Sequence, residues 1–233
     1  IEFALGNDLA PYLLQVRSIT NQPNWNRGVK KRIDTRLDEV QNFVIKRFKK
    51  LDGVYGETTL LGQMPDWNPV EMIGRAPRAL AFSLYQTFIT DHVWRIARET
   101  MRYKVPIGQP LMVELAGQPF IDTRLSFHSY LPEDLSSEVC EKVVNKWVSH
   151  LKSSPELHDK VEFDIAITAY SFDIDEKIEH LIGNVLNNSE KEEFKQAHLK
   201  QTKNLVKGEC DGSIHKALKK INLLEKIQKK SKE

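Results

Sequence analysis

Four groups of polar residues in this 233-residue chain have the types and spacing that chemistry uses. Gln15 and Arg17 stand two residues apart, so on a strand both side chains leave the same face, and Glu2 falls on the strand beside them. An acidic residue that holds Mg²⁺ and an arginine that neutralises phosphate oxygens are what phosphoryl transfer from ATP requires. Asp66, Asn68 and Glu71 offer oxygen ligands. Beside them Arg75 and Arg78 offer phosphate donors near a helix start, where main-chain N–H groups favour anions. Asp122, Arg124, Ser126 and His128 share one face if their segment is extended, and Glu162 and Asp164 share another, a spacing that suits a metal or an arginine partner. The catalytic candidates are therefore Asp66, Asp122, Arg124, His128, Glu162 and Asp164: convergence in one concavity favours a catalytic or ligand-binding reading, and spread over convex surface favours a linking one. Each group also has a structural alternative: a cross-strand ion pair, a capped connector, a solvated sheet face, or a salt bridge from the carboxylates to Arg124 or a nearby lysine.

The elements that would position these residues follow from periodicity. Ile1, Phe3 and Leu5 alternate with Glu2 and Ala4, and residues 12–19 form a second extended run after the turn-rich Gly6-Asn7-Asp8, so the pair reads as a hairpin. A hairpin is marginal alone and is expected to pack on the helix that begins near Val29. That helix places Val29, Ile33, Leu37, Val40, Val44, Phe48 and Leu51 at steps of three and four. Its lysines and arginines, Arg47 among them, are assigned mostly to its wet side.

Three prolines and a glycine make residues 64–78 a shaped loop with one helical turn after Pro69. A helix over 77–102 carries Leu80, Leu84, Phe88, Val93 and Ile96. Strands are expected over 111–116 and 120–128, joined by Gly117-Gln118-Pro119, and a helix over 134–151 carries Leu135, Val139, Val143, Trp147 and Leu151. Val161, Phe163, Ile165 and Ile167 alternate as in a strand. The remainder is helical and lysine-rich, with an apolar stripe at Ile214, Leu218, Ile221, Leu224 and Ile227. The fold class expected is α+β: a small mixed or antiparallel sheet covered by helices. The segments are a hairpin over 1–22, a connecting helix over 23–55, an α+β body over 56–175 and a helical region over 176–233.

The opening hairpin resembles a known pattern. Ile1-Glu2-Phe3-Ala4, followed by Tyr12-Leu13-Leu14-Gln15-Val16-Arg17-Ser18-Ile19-Thr20, is similar to the closing hairpin of the ATP-grasp-like ATP-binding domain in phosphoenolpyruvate synthase and pyruvate phosphate dikinase. Ser18 departs from it where the family has proline. The resemblance implies that Glu2 is a magnesium ligand, that Gln15 orients the phosphates or metal, and that Arg17 contacts the transferring phosphates. It further implies ATP and Mg²⁺ as cofactors, an upstream ATP-binding domain of the same polypeptide as partner, and a small-molecule substrate. The glycine-rich Thr-Ser-His signature and the pyruvate-binding barrel of that family are missing from the sequence, so this piece is expected to be inactive by itself. Pro65 to Arg78, with Leu84-Tyr85, Ile89-Thr90-Asp91 and Phe120 to Arg124, resembles a module that follows the ATP-binding domain in bacterial phosphoenolpyruvate-synthase-like proteins. That resemblance supplies a neighbourhood and no mechanism, so two readings stand: a phosphotransferase fragment whose attached domain closes over or feeds the phosphoryl-transfer site, or a non-catalytic docking, linker or ligand-binding module.

Composition bounds the alternatives. The 34 basic and 32 acidic side chains nearly cancel, which gives no global case for nucleic acid or an anionic membrane. The C-terminal lysines come without the arginine forks and aromatic platforms of nucleic-acid sites. The only cysteines, Cys140 and Cys210, lack the spacing of a zinc site or a disulfide framework. Reduced thiols, with no signal peptide and no long apolar run, lead to an expected cytoplasmic location.

Overall fold

A computed structural model describes residues 2–8, 10–16, 27–62, 68–106, 108–167, 169–207, 220–224 and 228. The chain divides into two units, Ile1–Glu39 and Val40–Glu233.

In the first unit, β1 (Glu2–Leu5) pairs antiparallel with β2 (Pro11–Gln15), so the expected hairpin forms. Glu2 lies opposite Gln15, and a register irregularity separates that pair from Phe3 and its partner Leu13. All five β2 residues are exposed, Leu13 and Leu14 among them, so the apolar side chains of β2 are not covered by the helix as expected. Helix α1 (Arg27–Arg47) occupies the predicted place and ends four residues before Leu51. Ile33 and Leu37 are exposed, while Val40, Val44, Phe48 and Leu51 are partly covered.

The second unit is mixed α and β. Its three-stranded antiparallel sheet has the order β3 (Leu61–Gly62), β5 (Gln118–Asp122), β4 (Met112–Leu115). Leu115 pairs with Gln118, leaving Ala116 and Gly117 as a two-residue turn with φ of 50° and 82°. Positive φ at both positions is the geometry that matches strand twist in a tight hairpin. α2 (Pro69–Ile73) is the single turn expected after Pro69, capped by Asn68, whose Oδ1 accepts from Val70 N at 3.0 Å.

The apolar stripe expected to pack over 77–102 instead faces out. α3 (Ala79–Leu84) passes into a π-helical segment, Tyr85–Val93, and then into α4 (Trp94–Thr100). Leu80, Leu84, Phe88, Val93 and Ile96 are all exposed, whereas Tyr85, Thr90 and Trp94 are buried and Ile89 packs on the core. A π turn repeats every five residues in hydrogen bonding. The pairs Tyr85 with Thr90 and Ile89 with Trp94 follow that step, which rotates the inner face away from the 3.6-residue stripe.

One predicted strand is a helix, and the one expected over 120–128 is extended only as far as Asp122. Beyond Asp122 the chain turns into α5 (Thr123–His128), and residues 161–165 form α7 (Val161–Ile165). Every residue from Ile121 to Pro132 is buried, and where all faces are covered alternation carries no information about period. In α7, Val161 and Ile165 are buried one turn apart while Phe163 is 75% exposed, which an extended run with one inner face would not allow. α6 (Ser137–Ser153) meets expectation, with Leu135, Val139, Val143, Trp147 and Leu151 all buried. α8 (Ile174–Ile182) and α9 (Asn188–Lys207) add Ile174, Ile178, Ile182 and Phe194 to the same core. Of the C-terminal stripe, Ile221 and Leu224 are exposed, and Ile214, Leu218 and Ile227 lie outside the described residues.

Substitutions should separate the two kinds of apolar position. Ile121→Ala, at a fully buried sheet residue, should cost about 2–5 kcal/mol. Leu84→Ala, on the exposed stripe, should stay within about 0.5 kcal/mol of the parent. Urea midpoints measure both, and equal losses would place Leu84 in the core.

Candidate functional site: a buried polar knot beneath an open cleft

Asp122 closes β5 and begins α5, its Oδ1 accepting from Leu125 N at 3.4 Å as an N-cap. The same Oδ1 accepts from Thr59 Oγ1 at 2.5 Å, and Oδ2 accepts from Arg47 Nε at 2.5 Å. Arg47 stands in the last turn of α1 and donates further to Gln109 Oε1 at 2.8 Å and Pro110 O at 3.0 Å. The carboxylate and guanidinium are 0% and 8% exposed, so the pair is a buried ion pair with most of its donors and acceptors engaged.

Arg124, also 0% exposed, does not meet Asp122 directly. Its Nη1 donates to Lys49 O at 3.0 Å and Gly56 O at 3.3 Å, and its Nη2 to Arg47 O at 3.1 Å. A guanidinium thus satisfies carbonyls left open at and just past the C-terminus of α1. Burial pulls Arg124 below its ordinary value, with Asp122 opposing that shift. Gly56 makes the approach possible. It has φ of 96°, and a Cβ there would meet Val144 Cγ1 at 2.7 Å and Arg124 Cδ at 3.1 Å.

One turn along α5, His128 Nε2 accepts from Tyr55 N at 2.9 Å and lies 3.1 Å from Tyr55 O, with the two rings stacked at 4.9 Å. Burial pushes His128 down to about 4, so it is neutral near pH 7. Above it opens a cleft of about 530 Å³ lined by Tyr55, Lys104, Val105, Pro106 and Glu133 as well as His128. Lys104 Nζ donates to Glu133 O at 2.9 Å and sits 5.8 Å from the centre of the Tyr55 ring. A phosphate-accepting histidine needs an accessible ring nitrogen, and His128 is 1% exposed with Nε2 held by the main chain. The cleft can therefore bind a ligand through Lys104, Glu133 and the Tyr55 ring, while His128 shapes its floor.

The candidates from sequence are only partly brought together. Asp122, Arg124 and His128 do gather, but as ties to residues 47–59 and not as one polar strand face. Glu162 is buried on α7, and Asp164 lies 3.7 Å from His150 Nε2 of α6. Asp122 and Arg124 spend their hydrogen bonds on Arg47, Lys49, Gly56, Thr59 and Leu125, not on those carboxylates. Asp66 and Arg17 lie outside the described residues, as does Cys210, and Glu2 and Gln15 are paired backbone positions in the hairpin of the other unit. Burial raises the thiol of Cys140 to about 12, which makes it inert. Among the described residues, no three His, Cys, Asp or Glu are disposed to hold a metal, and no helix is long and apolar enough to cross a membrane.

Arg47, Thr59 and Tyr55 were missed by residue type. For Arg47 a signal existed: it falls three residues after Val44 and four before Leu51, on the inner stripe of α1. No family model, curated protein or solved structure matches the chain.

Acid stability tests the buried histidines. His128, and His198 of α9 whose Nδ1 meets Phe194 O at 2.9 Å, are each pushed by burial from 6.5 to about 4. Between those values the unfolded chain takes up protons that the folded chain refuses. The stability present above about pH 6.5 is therefore lost as pH falls towards about 4, at roughly 3 kcal/mol per histidine. The urea midpoint should fall across that window, and His128→Gln should shallow the slope by about half of the histidine contribution. An unchanged slope would show that His128 titrates alike in both states.

Proposed function

We propose that this chain is part of an ATP-dependent phosphotransferase of the phosphoenolpyruvate synthase type, in which the unit Val40–Glu233 is an accessory ligand-binding module without catalytic groups of its own. The hairpin resembling the end of an ATP-binding domain supplies Glu2 to Mg²⁺, and Gln15 and Arg17 to the nucleotide phosphates; the glycine-rich loop and phosphate acceptor come from other domains. The observation that carries this division is the complete burial of Asp122 and Arg124, whose hydrogen bonds go to their own chain. Groups so enclosed meet no substrate. The opposite charges of Lys104 and Glu133 at the open cleft support a ligand-binding role over a purely linking one.

In the intact phosphotransferase, Arg17→Met should lower magnesium-dependent phosphoryl transfer about 10³-fold with unchanged stability. Asp122→Ala should do the reverse, costing about 3–5 kcal/mol by leaving Arg47 buried without its partner while turnover per folded molecule stays normal. Calorimetry alongside single-turnover kinetics separates the two. A stable Asp122→Ala protein with lost turnover would make Asp122 catalytic, and an unaffected Arg17→Met protein would remove the hairpin from the nucleotide site.

A further inference from the structure

α7 and α8 border a groove of about 270 Å³ whose apolar lining is Phe163, Ala166, Ile167 and Leu181. Ile167 is buried, while Phe163 is 75% exposed, and Phe172, one residue before Asp173 of the same groove, is fully exposed. Exposed apolar surface rimmed by polar residues marks a docking surface. The groove is smaller than the roughly 300–1,000 Å³ of small-molecule pockets, so it suits the side chains of a docked segment better than a whole ligand.

The polar lining carries three carboxylates, Asp164, Asp173 and Glu176, against one lysine, Lys177, and one imidazole, His180. Lys177 is already paired with Asp173 at 3.1 Å, and Glu176 is exposed. A fitting occupant therefore has an apolar face flanked by cations, and the chain contains one. Ile214, Leu218, Ile221, Leu224 and Ile227 make up the C-terminal stripe, and between Ile214 and Lys230 stand six lysines and one glutamate. Residues 220–224 are helical, with Ile221, Leu223 and Leu224 all at least half exposed, so the stripe is uncovered there. Its attachment point also lies close to the groove. α9 passes the segment between Ile167 and Asp173 at Thr202, whose Oγ1 accepts from Tyr170 N at 2.7 Å. The helix ends at Lys207, and the six residues from Gly208 to Ser213 reach at most about 20 Å. A second exposed apolar face, at Leu80, Leu84 and Phe88, begins beside the exposed Arg75 and Arg78, the wrong sign for a lysine-rich helix.

We propose that the amphipathic segment from Ile214 to Ile227 docks as a helix in the groove between α7 and α8 of its own chain, its apolar stripe on Phe163 and Ile167 and its lysines beside Asp164 and Glu176. In helix-in-groove recognition the apolar anchors supply affinity, and the rim charges select the partner and its orientation. A short tether holds the segment at an effective concentration on the order of millimolar, so individually weak contacts suffice.

The test is nuclear Overhauser spectroscopy on the full chain, with the methyl groups of isoleucine and leucine labelled. Contacts from Ile214, Leu218, Ile221 or Leu224 to the Phe163 ring or the Ile167 methyls, unchanged on dilution, support the docking. Phe163→Ser removes an apolar anchor and Glu176→Lys reverses a rim charge, both at exposed positions where the fold survives substitution. Each should speed amide exchange over residues 218–224 about tenfold. Exchange that neither variant changes overturns the proposal, as does the absence of those contacts. Contacts that reach Leu80, Leu84 and Phe88 instead, or that arise only between differently labelled molecules, also overturn it, and they assign the segment to the other face or to a second copy.

Discussion

Asp122 accepts hydrogen bonds from three directions at once, and the second unit is organised around that fact. Arg47 reaches it from the end of α1, Thr59 from the loop before β3, and Leu125 N from the first turn of α5. A carboxylate enclosed this fully is tolerable only when its lone pairs are met and its charge is balanced. Each contact therefore fixes a segment: where α1 stops, where 48–60 runs, and where sheet becomes helix. Arg124 finishes the work by holding Arg47 O, Lys49 O and Gly56 O, so the cation that closes the loop is carried by the helix the anion caps.

That arrangement explains why residues of catalytic type serve structure here. Low dielectric strengthens each interaction inside the knot and equally raises the cost of removing any partner. A substrate competing for Asp122 or Arg124 would have to unpair a buried charge. His128 follows the same logic on a smaller scale, because its neutral ring is held by the Tyr55 main chain, and protonation would place a charge where burial already pushes its value to about 4.

What could be read in the sequence tracks how one-sided each segment is. α6 was legible because Val139, Val143, Trp147 and Leu151 recur at steps of four, and Cys140, Val144 and Val148 widen the same buried face. The β4–β5 hairpin was legible from a glycine-marked turn, although the turn is Ala116-Gly117 and Pro119 sits inside β5. α5 and α7 were not: the first is buried all round, and the second is a single turn whose five residues alternate in polarity by coincidence of composition. The π segment defeats any stripe drawn at 3.6 residues, so the apolar residues that looked like core are outside. At the site, the sequence supplied Asp122, Arg124 and His128 but not their partners, since a buried arginine such as Arg47 looks in composition like the solvated lysines around it.

The four histidines discussed above divide by what already holds them. His128 and His198 are each tied to a main-chain atom and buried, so neither has a ring face to offer a ligand. His150 and His180 stand instead on the wall of a cavity between α6, α7 and α8, with Asp164 of α7 3.7 Å from His150 Nε2. Most polar groups at the α1–β5–α5 junction are spent on one another and on the main chain, although Arg124 Nε and Ser126 Oγ have no partner among the described residues. A ligand at that junction would have to break ties that Asp122 and Arg124 already make, which the open cleft over His128 does not require.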